Sequence, residues 1–242
     1  MSITSLKVGW DCLGQGIKHA RVQHWGFRHY RRLNRERDAA FATYLSHSPR
    51  GLHLGAEFYV LKDWFNTDLN PFQPGMYYVD ATQPLPFPDG SFDFVFSEHM
   101  IEHIPFESGM RLLRECRRIL RSSGVIRIAT PDLRNVVSLL ANHDPDTEAY
   151  LRWAVEQFKL PGDPFPKAPV VINNFFRAWG HQFIYDSEML QRAMERAGFR
   201  DIVPQQVGVS AHVPLQNLER HGQTFCDFAN RFETMVFEGT TP

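Results

Sequence analysis

The chain predicts an α/β fold, a Rossmann-like doubly wound and mostly parallel sheet with helices on both faces. Three observations predict it. Short apolar runs recur at 51–55, 64–69, 76–80, 92–97 and 125–129, each bounded by Gly, Pro, Asp or Ser, as buried parallel strands require. Amphipathic helical patterns are interleaved with them. Polar residues collect where the runs end, and open parallel sheets bind ligands beyond those ends.

The elements can be justified in order. Residues 18–46 read as a helix or helix pair, with seven Lys or Arg in the first twenty positions and Trp25, Phe27, Tyr30 and Phe41 among them. This is either a capping helix with a solvated basic face or a surface for an anionic ligand. The first two strand runs are separated by only eight residues, 56 to 63. A crossover with a full helix needs about a dozen, so this crossover is expected to be shortened. "FESGMRLLRECRRILRSSG" puts Met110, Leu112, Leu113, Cys116, Ile119 and Leu120 on one helical face, and Gly124 is its expected stop. "DSEMLQRAMERAGF" is a second amphipathic helix, capped by Asp186 or Ser187 and ended by Gly198. "DIVPQQVGV" and "RFETMVFEG" are the last two strand candidates. Residues 131–185 interrupt the alternation with helical and Pro-rich pieces, the pattern of a lid insertion. The expected organisation is an N-terminal helical extension, 1–49, and one catalytic-type domain, 50–242.

Composition excludes several classes. The 242 residues are 43% hydrophobic and 22% charged, with a formal net charge of -1. No whole-molecule field points to nucleic acid, and no apolar run approaches the roughly 18 residues of a membrane helix. Three widely spaced cysteines argue against a disulfide framework and suit a reducing cytoplasm.

The chemistry lies at the predicted strand ends: Gly55-Ala56-Glu57, Asp68, Asp80-Ala81, Ser97-Glu98-His99 and Thr130-Pro131-Asp132. Asp68 can accept both hydroxyls of a ribose, and Asp80 an adenine amino group. Each could instead cap a turn. A dinucleotide site fares worse, because G-x-G-x-x-G is absent and Asp68 lies 13 positions after Gly55, where about 20 are expected. A ligand with ribose and adenine but no phosphate fits better. "SEHMIEHI" adds His99 and His103 at helical spacing, with Glu102 beside them, and His181 stands in the insertion. Histidine suits general-base work near neutral pH. The same set, His99, Glu102 and His103 completed by His181 or Asp186, also has the ligand types of a metal site. A third reading is a non-catalytic binding protein.

Gly55-Ala56-Glu57, "WFNTD", "VDATQPLPFPDGSFDFVFSEHMIEHI" and "LRECRRILRSSGVIRIATPDL" together resemble the class I S-adenosylmethionine-dependent methyltransferases. They are most similar to the short bacterial members labelled methyltransferase type 11. The resemblance covers roughly residues 50 to 239. It implies a seven-stranded sheet of order 3-2-1-4-5-7-6 with the last strand antiparallel. It implies S-adenosyl-L-methionine as cofactor, with Gly55 and its neighbours along the methionine part. Asp68 would hold the ribose, and Asp80 and Ala81 would edge the adenine. Ser97, Glu98 and His99 would lie beside the methyl. His103 or His181 is the expected base. Glu57 departs from the pattern, since many relatives have glycine there. It would either pair with the cofactor's ammonium or block the site. The expected acceptor is a small molecule or glycan precursor methylated at oxygen. Arg177 in the insertion and the basic N-terminal helix hint at an anionic one.

Overall fold

The computed structural model describes residues 27–224 and 226–242. The chain divides into two units, Met1–Thr43 and Tyr44–Pro242. The described part of the first lies entirely in helix α1 (Phe27–Tyr44), along which Arg37 pairs with Asp38 at 2.7 Å and donates to Asn34. Residues 18–26 of the predicted basic helix lie outside the described residues.

The second unit is built on one seven-stranded sheet. Its strands are β1 (Gly51–Leu54), β2 (Trp64–Asp68), β3 (Met76–Tyr78), β4 (Phe92–Glu98), β5 (Leu120–Pro131), β6 (Arg200–Gln205) and β7 (Thr234–Thr240). Their order is β3-β2-β1-β4-β5-β7-β6. The first five are parallel, and β7 runs antiparallel to both β5 and β6. Helix α2 (Phe106–Ile119) links β4 to β5 and buries the predicted Met110, Leu112, Leu113, Cys116 and Ile119. It stops at Ile119, earlier than the glycine signal suggested. Leu120 is already strand and pairs with Phe92, and Ser123, at φ 60°, makes the left-handed turn expected of Gly124. Gly124 is needed for space: a Cβ there would lie 2.9 Å from the Arg121 carbonyl oxygen.

The insertion after β5 holds α3 (Leu133–Ser138), α4 (Pro145–Gln157) and α5 (Lys167–Arg177). Helix α6 (Ser187–Ala197) follows as predicted, with Asp186 accepting from Met189 N–H and Gly198 left-handed at φ 96°. The connection from β6 to β7 carries two short helices, α7 (His221–Thr224) and α8 (Asp227–Glu233). Leu139, Tyr150, Leu151, Ala154 and Val171 of the first insertion share one apolar cluster with Ala229 of the second.

The β1–β2 crossover is as short as the spacing demands and has no helix. The β6–β7 connection covers sheet surface next to it. Leu215 and Leu218 pack with Leu61, Phe96 and Val125. One register row explains how both segments are fixed. Asn66, His53, Phe96, Arg127 and Glu238 lie side by side across five strands. Asn66 ties down the crossover: Oδ1 accepts from Leu61 N–H, and Nδ2 donates to the Leu61 and Trp64 carbonyls. Arg127, fully buried, ties down the connection. Its guanidinium donates to Glu219 and Glu238 at 2.6 Å each and to the carbonyls of Val209 and Gln206. Removing one member would strand a buried charge.

Candidate functional site

Two clusters lie at the carboxyl edge of the sheet. The first follows β1. Gly55 adopts φ 72°, and a Cβ there would fall 2.5 Å from Met100 Cγ, so both backbone and space demand glycine. Ala56 N–H donates to the Thr67 carbonyl, and Glu57 N–H to Asp68 Oδ2 at 3.0 Å. Asp68 Oδ1 accepts from Asn70 N–H at 2.8 Å. A carboxylate offers about four lone-pair sites, so Asp68 is steered by the turn and keeps capacity for a diol. Glu57 holds a left-handed φ of 41° and its side chain is exposed. Asp80, after β3, accepts from the Thr82 amide and hydroxyl through Oδ1, closing the turn that contains Ala81. A cavity of about 70 Å³ lies against the Gly55–Glu57 turn, lined by Gly55, Glu57, Glu98, His99, Arg220 and His221 among others.

The second cluster follows β4. Glu98 accepts the backbone N–H groups of Arg220 and His221 at 2.8–3.0 Å, holding the start of α7. His99 turns the chain at φ 45°. The next residues form a single 3-10 turn, Ile101–His103, rather than a longer helix, and it buries Glu102 completely. His99 Nδ1 lies 3.3 Å from Glu102 Oε1, and its Nε2 lies 3.0 Å from Thr234 Oγ1. The Thr234 hydroxyl donates to Asn230 Oδ1, so His99 Nε2 is the donor in its own bond. Burial opposes a charge on His99, but the hydrogen bond to Glu102 and the carboxylates of Glu102, Glu233 and Glu98 outweigh it and push the pKa up to about 9. Burial likewise opposes the Glu102 carboxylate, and His99 pulls it down to about 2. The two form a buried ion pair, with Glu102 Oε2 fixed by the Thr130 hydroxyl at 3.0 Å.

The insertion is stitched to this turn. Gln182 and Phe183 N–H donate to the Glu102 carbonyl, and the Gln182 side chain donates to the His103 carbonyl. That places His181 4.9 Å from His103, centroid to centroid. His181 Nδ1–H donates to the Phe175 carbonyl at 2.7 Å, and burial lowers its pKa. It is a neutral imidazole with the Nε2 lone pair available. Glu102 Oε1 and the nearby Tyr185 Oη are buried without a hydrogen bond among the described residues.

The structure thus brings Glu102, His103 and His181 together, and joins His99 to Glu102. Asp186 does not belong to this group: it caps α6 and pairs with Arg134. Sequence reading missed His221, stacked on His99 at 3.8 Å, and Glu233, which pairs with His221 and accepts from the Tyr150 hydroxyl at 2.6 Å. No spacing rule links residues 99 and 221. Only the β6–β7 connection does.

Residues 61–128 match a family model described as a methyltransferase domain. A 48-residue stretch is 44% identical to a probable S-adenosylmethionine-dependent methyltransferase of Mycobacterium tuberculosis, covering 20% of this chain and 17% of the relative. The matched stretch thus spans under a fifth of that relative's length. Among solved structures, a SAM-dependent methyltransferase from Archaeoglobus fulgidus aligns over 87% of this chain and 94% of its own, at 18% identity and a TM-score of 0.49. One from Mesorhizobium loti aligns over 84% and 96%, at 15% identity and a TM-score of 0.47. The strand order with its reversed β7 is the one that the resemblance to class I S-adenosylmethionine-dependent methyltransferases implied. The family match at residues 61–128 covers under a third of the chain and falls on β2 to β5 of that sheet.

Proposed function

We propose that the chain transfers the methyl group of S-adenosyl-L-methionine to an oxygen of a small-molecule or glycan-precursor acceptor. The observation that carries this reading is Asp68. It sits at the end of β2, aimed back at the Gly55–Glu57 turn, with lone pairs left for a ribose diol. The residues fit the cofactor in kind: four carboxylates (Glu57, Asp68, Asp80 and Glu98) flank the edge, and the cofactor carries an ammonium and a sulfonium. The cavity of about 70 Å³ is well below the roughly 300 Å³ of a typical ligand pocket. It takes the methionine end, while the adenosine lies along the open edge at Asp68, Asp80 and Ala81.

When bound, the cofactor supplies a methyl on a cationic sulfur, and alignment is then the enzyme's main task. The protein's own contribution is proton handling. His181 is neutral, oriented by the Phe175 carbonyl, and can take the acceptor's hydroxyl proton at Nε2. His103 is its neighbour in that role. His99, donating from Nε2 to Thr234 and ion-paired through Nδ1 with Glu102, holds Glu102 in place and is a positioning residue. Ser97 and Glu98 shape the strand end beside the methyl.

Calorimetric titration with S-adenosylmethionine tests the reading. Wild type binds, Asp68→Ala loses at least about tenfold in affinity, roughly one strong charged hydrogen bond, and Asp68→Asn, which keeps an acceptor for the Glu57 amide, loses less. No binding by wild type at about 1 mM, the upper end of ordinary KM values, would sink it.

A further inference from the structure

We propose that Glu102, His103 and His181 form a site for one borderline divalent transition ion, of which Zn²⁺ is the representative. One donor atom from each residue lies within 4.8 Å of the other two. Two imidazoles and a carboxylate are a ligand set that such ions prefer over Mg²⁺ or Ca²⁺. Three protein ligands also leave a coordination position for an exogenous molecule.

Three features show a built site. His181 donates Nδ1–H to a backbone carbonyl at 2.7 Å, which fixes the ring and leaves Nε2 as the ligand atom. Metal-bound histidines are held by this kind of outer bond. Glu102 is fully buried, with Oε2 anchored by Thr130 and Oε1 lacking a hydrogen bond among the described residues. Oε1 does lie 3.3 Å from His99 Nδ1, outside hydrogen-bond geometry. Finally, the two segments bearing the ligands are joined by three hydrogen bonds, from Gln182 and Phe183 to Glu102 and His103. Two of the three are backbone to backbone, so the approach is fixed mainly by the main chain.

A second group, His99, His221 and Glu233, meets the same distance criterion. Its donors are already committed. His99 uses both ring nitrogens, on Thr234 and Glu102, and His221 Nε2 pairs with Glu233. In the first group Glu102 Oε1 is shared with His99, while His181 keeps its Nε2 lone pair open.

In the methyltransferase reading, an ion here would acidify an acceptor hydroxyl. His181 Nε2 would then coordinate the ion instead of taking the proton. The site itself stands independently of that reading. Its test therefore reads metal alone. The full chain, stripped with chelator and desalted, is titrated with Zn²⁺ by calorimetry and with Co²⁺ by visible absorbance. One equivalent should bind, with a Co²⁺ d–d band. His103→Ala and His181→Ala should each weaken binding by at least about tenfold, and His221→Ala should leave it unchanged. His103→Gln and His181→Gln serve if an alanine variant unfolds. The proposal fails if wild type shows no saturable binding, if neither His103 nor His181 substitution weakens it, or if His221→Ala abolishes it. None of these outcomes touches cofactor binding.

Discussion

His53 on β1 and His99 just beyond β4 follow paired strands and are both shielded from solvent, yet one is neutral and the other charged. His53 Nδ1 meets the Asn66 amide oxygen at 3.1 Å, and burial pushes its pKa down to about 4. His99 meets a carboxylate and is pushed up to about 9. The residue type is the same and the depth is similar, 3% exposed for His53 and 12% for the His99 side chain. The partner decides, because an amide dipole cannot repay the desolvation of an imidazolium and a full counter-charge can. The β1 end is therefore a neutral wall beside the proposed cofactor turn, and the β4 end is a charged, polar pocket suited to proton or metal chemistry.

Removing the counter-charge is the largest way to break this contrast. Glu102→Leu strands His99 in the interior and leaves the Thr130 hydroxyl without its acceptor. Loss of one partner of a buried ion pair typically costs about 3–5 kcal/mol. Urea unfolding at pH 7 should show a loss of that size. A loss under about 1 kcal/mol, within the range of an exposed pair, would mean that the pair is solvated.

The second test is the pH dependence, where the two histidines have opposite signs. His53 has a folded pKa below its ordinary 6.5. Its contribution to stability is complete above 6.5 and is lost as pH falls through about 4, about 3 kcal/mol over the window. His99 has a folded pKa above 6.5. Its contribution is complete below 6.5 and is lost as pH rises through about 9. Unfolding free energies across pH 4–9 should peak near the middle. Asn66→Asp sharpens the comparison by giving His53 a carboxylate as well. NMR titration should then find the His53 pKa well above that in wild type. The variant should be about 1–3 kcal/mol less stable, because the Leu61 and Trp64 carbonyls lose the Asn66 amide donor. An unchanged His53 pKa would show that burial alone sets it.

The same pair marks how far the sequence could be read. The strands, the shortened first crossover, the α2 and α6 faces and the strand order with its reversed β7 were legible, because apolar period, caps and the family resemblance all reach them. Glu102, His103 and His181 were named from residue type and helical spacing within a wider set that included His99 and Asp186, but the 3-10 turn that brings these three together was not. What was not legible is the polar row across the sheet. His53 and Arg127 interrupt apolar runs, and their partners Asn66, Glu219 and Glu238 lie 13, 92 and 111 residues away. The β6–β7 connection was also missed. Its sequence looks like loop, and its role comes only from covering sheet beside a crossover that has no helix. His221 and Glu233 enter the pocket with it.

Glu57 gives the smallest effect and the finest distinction. The family resemblance implies glycine at this position, and here a glutamate holds φ 41° with an exposed side chain. A non-glycine residue in that conformation costs about 1–2 kcal/mol, partly offset by the backbone entropy a glycine would lose on folding. Glu57→Gly should therefore stabilise the fold by about 0.5–1 kcal/mol in chemical unfolding. Its effect on cofactor affinity separates two roles. A carboxylate blocking the turn would have to lie over it, whereas this one is exposed. A carboxylate pairing with the cofactor's ammonium can act from there, at the modest strength of a solvated ion pair, about 0.2–1 kcal/mol. We expect Glu57→Gly to be more stable and to bind S-adenosylmethionine a few-fold more weakly by calorimetry. Tighter binding by the variant would mean that the glutamate obstructs the site and that its side chain swings inward in solution.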